Sequence, residues 1–170
     1  LVRDLETVIG ALGLGDYDLC GFSLGSRSCA RGVLAGLSPR RLVLGGMGLE
    51  GLAGWNRRAA FFIDVIDRFD EIRQGDPAFL SVQFMKTMKI DRVAARLLLQ
   101  SVEDMEKADL GRITMPTLVV CGAEDQDNGS APALAEALPQ GRYAEVPGTH
   151  MSSVTDKALG QAIAAFLVED

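Results

Sequence analysis

The stretch YDLCGFSLGSR (residues 17–27) sets one serine, Ser23, between Gly21 and Gly25, directly behind a short apolar run. YDLC (17–20) has the length and character of a buried strand. After Ser23 the period changes: Ala30, Val33, Leu34 and Leu37 recur on one helical face until Pro39 closes it. Strand, glycine-flanked turn and helix, in that order, are what a serine needs to act as a nucleophile. The turn holds its backbone in a strained conformation and pushes the hydroxyl outward, and glycines on either side keep other side chains out of the way. The plainer reading, an ordinary serine in a chain with 19 glycines, stays open on this string alone.

Outward from that stretch the same alternation repeats. RLVLGG (41–46), TLVVCG (117–122) after Pro116, and RYAEV (142–146) are three further strand candidates. APALAEAL (131–138), stopped by Pro139, and a last segment carrying Leu159, Ile163, Phe166 and Leu167 read as helices. Strands alternating with helices imply a parallel sheet with right-handed crossovers, an α/β architecture of about four strands. Between about residues 50 and 110 the pattern is helical throughout. Trp55, Phe61, Phe62, Val65, Ile66, Phe69 and Ile72 predict one amphipathic helix, Phe79, Leu80 and Met85 a second, and Val93, Ala94, Leu97 and Leu98 a third capped by Asp91. The aromatic residues gather here, as in a lid, although helical spacing of this kind more commonly marks core. Leu1, Val2, Leu5, Val8, Ile9 and Leu12 follow helical spacing from the first residue with no cap before them, so the chain is expected to begin inside an element, with Gly13-Leu14-Gly15 as its stop.

Composition narrows the function classes. The chain has 170 residues, enough for one domain, with 48% hydrophobic and 24% charged residues and a net charge of −6. That balance gives no footprint for nucleic acid or an anionic membrane, and Arg40-Arg41 and Arg57-Arg58 are too short to supply one. No apolar stretch reaches membrane-spanning length, and LVRDLE is no secretory signal. The three cysteines, Cys20, Cys29 and Cys121, form no C-x-x-C pair, which argues against a disulfide framework or zinc knuckle. Cys20 and Cys121 end apolar runs and are expected to be buried, reduced thiols, as in a cytoplasmic protein. With one histidine and no clustered ligands, no metal is expected; no cofactor motif occurs, neither a G-x-G-x-x-G nor a P-loop.

A serine hydroxyl needs a base beside it, and His150, in VPGTHMSS (146–153), is the only histidine. It follows the fourth strand, at the carboxyl edge of the sheet, where Ser23 also lies and where open α/β sheets place their sites. The loop after the preceding strand, in VVCGAEDQDNG (119–129), carries Glu124, Asp125 and Asp127 as candidate carboxylates. For Glu124 and Asp127, solvent exposure and capping are the preferred assignment.

The order serine, acid, histidine, together with GFSLG, CGAED and PGTHMS at three strand ends, resembles the α/β-hydrolase fold family. The resemblance covers nearly all of the chain, the helical middle only loosely. It implies a partial α/β-hydrolase fold with a cap-like helical insertion. Ser23 becomes the nucleophile, Asp125 the acid, as the third residue past Gly122, and His150 the base. The Leu24 amide becomes an oxyanion donor, and Phe22 a substrate contact. It further implies hydrolysis of a small carboxylic ester, thioester or lactone through an acyl-enzyme. The family's earliest strands, and the loop that gives its second oxyanion amide, have no counterpart here. The first strand is then expected at an exposed sheet edge, open to self-association. The rival expectation is a catalytically weak or inactive hydrolase-like domain that serves as a binding module. An aspartate-based dehalogenase is disfavoured because a serine occupies the nucleophile position.

Overall fold

Four strands, β1 (Asp18–Phe22), β2 (Arg41–Gly45), β3 (Thr117–Gly122) and β4 (Gly141–Val146), lie side by side in chain order, and every neighbouring pair is parallel. The computed structural model describes residues 1–169. In register, Cys20 lies opposite Val43, Gly45 opposite Val120, and Gly122 opposite Val146. All four strands therefore end on one edge. The central strands β2 and β3 are apolar almost throughout because both of their faces are covered. Period-2 alternation divides their side chains. Leu42, Leu44, Val119 and Cys121 face Cys29, Ala30 and Val33 of α2 (Leu24–Leu34) and Leu134 of α7 (Ala131–Ala137). Val43, Leu118 and Val120 face Leu159 and Phe166 of α8 (Lys157–Leu167). Removing one such side chain, as in Leu44→Ala, costs about 2–5 kcal/mol from lost burial and the residual cavity.

The helix starts and stops follow local chemistry. The first helix, α1 (Val2–Ala11), ends with Gly13 at φ 62° and Leu14 N–H reaching back to Ile9 O, a left-handed stop. Helix α2 stops the same way at Gly36 (φ 119°), so it ends at Leu34, short of Pro39. Leu37 lies beyond the helix, its N–H on Gly32 O at 2.9 Å. Ser130 caps α7 by accepting from Ala133 N–H, and Asp156 caps α8 through Ala158 N–H.

The chain divides into two compact units, one of residues 1–53 and 105–170, which carries the sheet, and one of residues 54–104. The second is helical: α4 (Trp55–Asp67), α5 (Phe79–Thr87) and α6 (Arg92–Ser101) follow the short α3 (Leu49–Leu52) of the sheet unit. Its core is Val65, Ile72, Ala78, Val82 and Met85. Helix α4 stops at Asp67, so Phe69 and Ile72 belong to the turns after it, although Ile72 is buried as expected. Asp91 does cap α6, accepting from Val93 and Ala94 N–H, but Val93 and Leu97 are exposed, as is Leu80 on α5. The first and last residues of this unit meet: the Asp104 carboxylate accepts from Gly54 N–H at 3.0 Å and Trp55 N–H at 2.9 Å.

Cys20 is exposed rather than buried. It shares a strand face with Phe22, but β1 is an edge strand, paired on one side only, and the cover over that face gives out before reaching it. Among the described residues, no helix is long and apolar enough to cross a membrane.

Candidate active site

The turn between β1 and α2 is built around Ser23, whose φ of 53° and ψ of −115° lie outside the regions open to ordinary L-residues. Such a conformation costs on the order of 1–3 kcal/mol and persists only where its surroundings impose it. Here they do. Ser23 N–H donates to Gly45 O at 2.8 Å, and the buried Ser26 hydroxyl reaches both Gly21 O at 2.9 Å and Gly45 O at 2.8 Å. These bonds clamp the start of α2 onto the ends of β1 and β2.

The two flanking glycines turn out to differ. A Cβ on Gly21 would fall 2.3 Å from the Gly25 carbonyl carbon and 2.5 Å from Ser26 N, so the approach of strand to helix depends on its absence. A Cβ on Gly25 would meet nothing within 4 Å. Gly25 therefore does not serve the clash-avoiding role expected of it. The helix begins at Leu24, directly after Ser23. Ser23 is its N-cap residue but makes no side-chain cap bond, which leaves the hydroxyl available.

His150 reaches that hydroxyl. Its Nε2 is 3.0 Å from Ser23 Oγ, and its Nδ1 is 2.8 Å from Asp125 Oδ2. An ionised carboxylate only accepts, so Nδ1 carries the proton, and the Nε2 lone pair faces the serine hydroxyl. The second Asp125 oxygen, Oδ1, accepts from Asp127 N–H at 3.0 Å, which fixes the carboxylate plane. The side chains of Asp125 and His150 are 2% and 12% exposed, so the pair is shielded from solvent. Of the three acidic residues in the loop, Asp125 alone meets the imidazole; Asp127 contributes its backbone, and Glu124 is exposed.

The loops carrying acid and histidine are stitched together by backbone. Ala123 N–H donates to Val146 O at 2.8 Å and Glu124 N–H to Gly148 O at 3.0 Å. A Cβ on Gly122 would lie 2.1 Å from Gly148 O, so glycine at the end of β3 is what lets the histidine loop approach. Gly148 itself has φ 101°. Past it, Thr149 N–H donates to Ser152 Oγ at 2.8 Å, and Ser153 N–H to Thr149 O at 3.0 Å, winding the loop tightly around His150.

Phe22 stands beside this group. Its ring centroid is 5.1 Å from that of His150, tilted by 40°, and it packs closely on Gly45 and Gly46. The Leu24 N–H is the first of α2, among those a helix leaves without an intrahelical acceptor. Cys121 and Cys29 are poorly suited to act as nucleophiles. Burial pushes each thiol up to about 11, and for Cys121 the charge of Asp125 adds to the effect. Asp125, Asp127 and His150 each offer a ligand atom within 4.8 Å of the others, but both imidazole nitrogens are already engaged by the carboxylate and the hydroxyl. Ser26 and Asn128, both buried polar residues of this edge, were not singled out from the sequence. Ser26 lies one helical turn beyond Ser23, a weak signal; for Asn128 the sequence offers none.

With a parallel sheet whose strand ends converge on an imidazole, a hydroxyl and a carboxylate, the fold is that of the α/β hydrolases, present in part. Comparison with solved structures agrees. The chain is similar to a hydrolase from Pseudomonas aeruginosa PA01, with TM-score 0.70 and 23% identity over 99% of this chain and 71% of that one. It is also similar to an enol-lactonase from Burkholderia xenovorans LB400, with TM-score 0.70 and 18% identity over 99% of this chain and 72% of that one. A bromoperoxidase from Bacillus anthracis gives TM-score 0.65 and 22% identity over 99% and 73%. No family model and no curated protein matches the sequence.

Proposed function

We propose that this chain is a serine hydrolase that cleaves a small carboxylic ester, thioester or lactone through an acyl-enzyme. The observation that carries this is the unbroken series Ser23 Oγ, His150 Nε2, His150 Nδ1 and Asp125 Oδ2, with contacts of 3.0 and 2.8 Å. In the first half-reaction Ser23 Oγ attacks the acyl carbon as His150 Nε2 takes its proton. Asp125 keeps the imidazole in the Nδ1–H tautomer and stabilises the imidazolium that forms. The tetrahedral oxyanion is received by Leu24 N–H at the start of α2, where the helix dipole favours negative charge. Collapse expels the alcohol or thiol, which takes the proton back from Nε2. Water then repeats the sequence on the acyl-enzyme and frees Ser23. One oxyanion donor is worth about 10²–10³ in turnover, so Leu24 N–H carries much of the rate. Phe22, against His150 and beside Ser23, is placed to meet an apolar part of the substrate.

The test is labelling by a fluorophosphonate, which reports an activated serine without knowledge of the substrate. Labelling is expected in the wild type, absent in Ser23→Ala, and slowed by about 10³-fold or more in His150→Ala. A folded wild-type protein that does not label would overturn the catalytic reading and favour a binding module. p-Nitrophenyl esters of increasing acyl length then define the substrate class.

A further inference from the structure

Asn128 follows the acid by three residues and is 6% exposed. Its Nδ2 donates to Gly46 O at 2.7 Å, and its own carbonyl accepts from Gly51 N–H at 2.9 Å. The remainder of the loop is tied to the same segment. The Glu50 carboxylate accepts from Ser130 N–H at 2.8 Å, and Leu49 N–H donates to Ser130 O at 3.0 Å. The contact is close: a Cβ on Gly48 would lie 2.3 Å from Gly129 O. Residues 128–130 are thus clasped against 46–51.

The place of that clasp is what gives it meaning. Gly45 and Gly46 are consecutive residues at the end of β2. The Gly45 carbonyl accepts from Ser23 N–H and the Ser26 hydroxyl, which hold the nucleophile turn. The next carbonyl, of Gly46, takes the Asn128 amide, which holds the acid loop. Gly46 N–H is fixed in turn on Val120 O at 2.9 Å. Two adjacent peptide carbonyls therefore set the nucleophile and the acid in one frame. Within its own loop Asp125 is held only by short-range bonds, its N–H to Gly122 O at 2.9 Å and its Oδ1 from Asp127 N–H. Those bonds shape the loop; the Ala123 and Glu124 amides tie its start to the histidine loop, and the Asn128 clasp ties its far end to the segment behind Ser23.

We propose that Asn128 is a positioning residue: by donating to Gly46 O it registers the acid loop on the turn that holds Ser23, and so keeps Asp125 on His150 Nδ1. The role rests on the serine-hydrolase reading above. Loss of the donor frees the loop to shift, and a displacement on the order of 1 Å in such a group costs about 10²-fold in rate.

His150 is the only histidine in the chain, so a far-downfield Nδ1–H proton in ¹⁵N-labelled protein can be assigned to it directly. The experiment compares wild type, Asn128→Ala and Asp125→Asn by that resonance and by kcat and KM on a p-nitrophenyl ester. Asn128→Ala is expected to lower kcat by about 10- to 100-fold with little change in KM. It is also expected to weaken the resonance or move it upfield, toward the result for Asp125→Asn. A folded Asn128→Ala with resonance and kcat like the wild type overturns the proposal. Where its near-UV circular dichroism shows it unfolded, Asn128→Leu keeps the volume, removes the donor and is read in the same two ways. If both fail to fold, Asn128 serves stability alone and the proposal also falls. An Asp125→Asn that leaves resonance and kcat unmoved would instead sink the relay itself. Should the wild type prove inactive, the hydrolase reading fails and the resonance alone still judges the clasp.

Discussion

Replacing Gly21 and Gly25, one at a time, by alanine separates the two glycines that flank Ser23. A methyl on Gly21 would lie 2.3 Å from Gly25 C, 2.4 Å from Gly25 O and 2.5 Å from Ser26 N, where ordinary contact begins at 3.4 Å. All three atoms are backbone, so no side chain can swing aside, and the start of α2 must retreat by about 1 Å. Overpacking of this kind costs about 1–3 kcal/mol, which in a chain of this size lowers Tm by about 2–12 °C. On the proposed serine-hydrolase function, activity falls further than stability does. The retreat carries Ser23 with it, and its 3.0 Å contact with His150 Nε2 lengthens, for an expected loss of about 10²-fold in phosphonate labelling. Gly25→Ala meets nothing within 4 Å and removes a flexible residue from the first turn of a helix. It is expected to label as the wild type does and to gain about 0.5–1 kcal/mol. Thermal melts and labelling rates of the two variants decide the matter. A Gly21→Ala protein with wild-type Tm and labelling, or a Gly25→Ala protein that loses either, would refute the steric account of the turn.

The three cysteines should separate on titration with Ellman's reagent. Native protein at pH 8 gives one fast thiol, Cys20, because only about one in a thousand molecules of a thiol with pKa about 11 is ionised there; Cys29 and Cys121 respond after denaturation, and two or more fast native thiols would contradict their burial. The Asp18 carboxyl is held below its ordinary value of 3.8, first by its hydrogen bond to Arg40 and then by the charges of Arg40 and Arg41, against an opposing effect of burial. The pair's contribution to stability is therefore complete above that value and disappears as the pH falls through the lowered folded value. Compared with Asp18→Asn, the wild type should show its full Tm advantage above about pH 4 and a shrinking one as the pH falls below it; an advantage that does not change as the pH falls would show that the ion pair is not its source.

The parts of the structure legible in the sequence are those where local chemistry and tertiary demand coincide. TLVVCG is apolar at every position because β3 is covered on both faces, and it lies where the sequence places it. The positive φ of Ser23 follows from a strand running into a helix with one residue to turn in. The histidine loop was legible because the chain holds one histidine and the topology brings it beside one acidic loop. That loop offers Glu124, Asp125 and Asp127, and only the family resemblance singled out Asp125, the residue that meets the imidazole. What escaped depended on neighbours remote in sequence. Cys20 sits in an apolar run, but the cover over its face ends before it, which only the assembled sheet reveals. Helix α4 stops at Asp67 although Phe69 and Ile72 continue its spacing, because buried turns can present apolar residues as well as a helix can. The second glycine of GFSLG looked like a steric requirement by symmetry with the first, yet helix geometry turns its missing side chain toward open space. Asn128 resembles any polar loop residue until its carbonyl partner, 82 positions away, is known.

The carboxylate of Asp104, holding the amides of Gly54 and Trp55, makes the helical unit depart and return at nearly one point of the chain. To the sheet, everything between those residues is a ring closed on itself, and the entropy of closing a ring rises only with the logarithm of its length, about 0.6 kcal/mol per doubling. The pairing of β2 with β3 is then almost indifferent to what the ring contains. Helices there can be lengthened, traded or trimmed as a cassette while the strands that lead into Ser23, Asp125 and His150 keep their register.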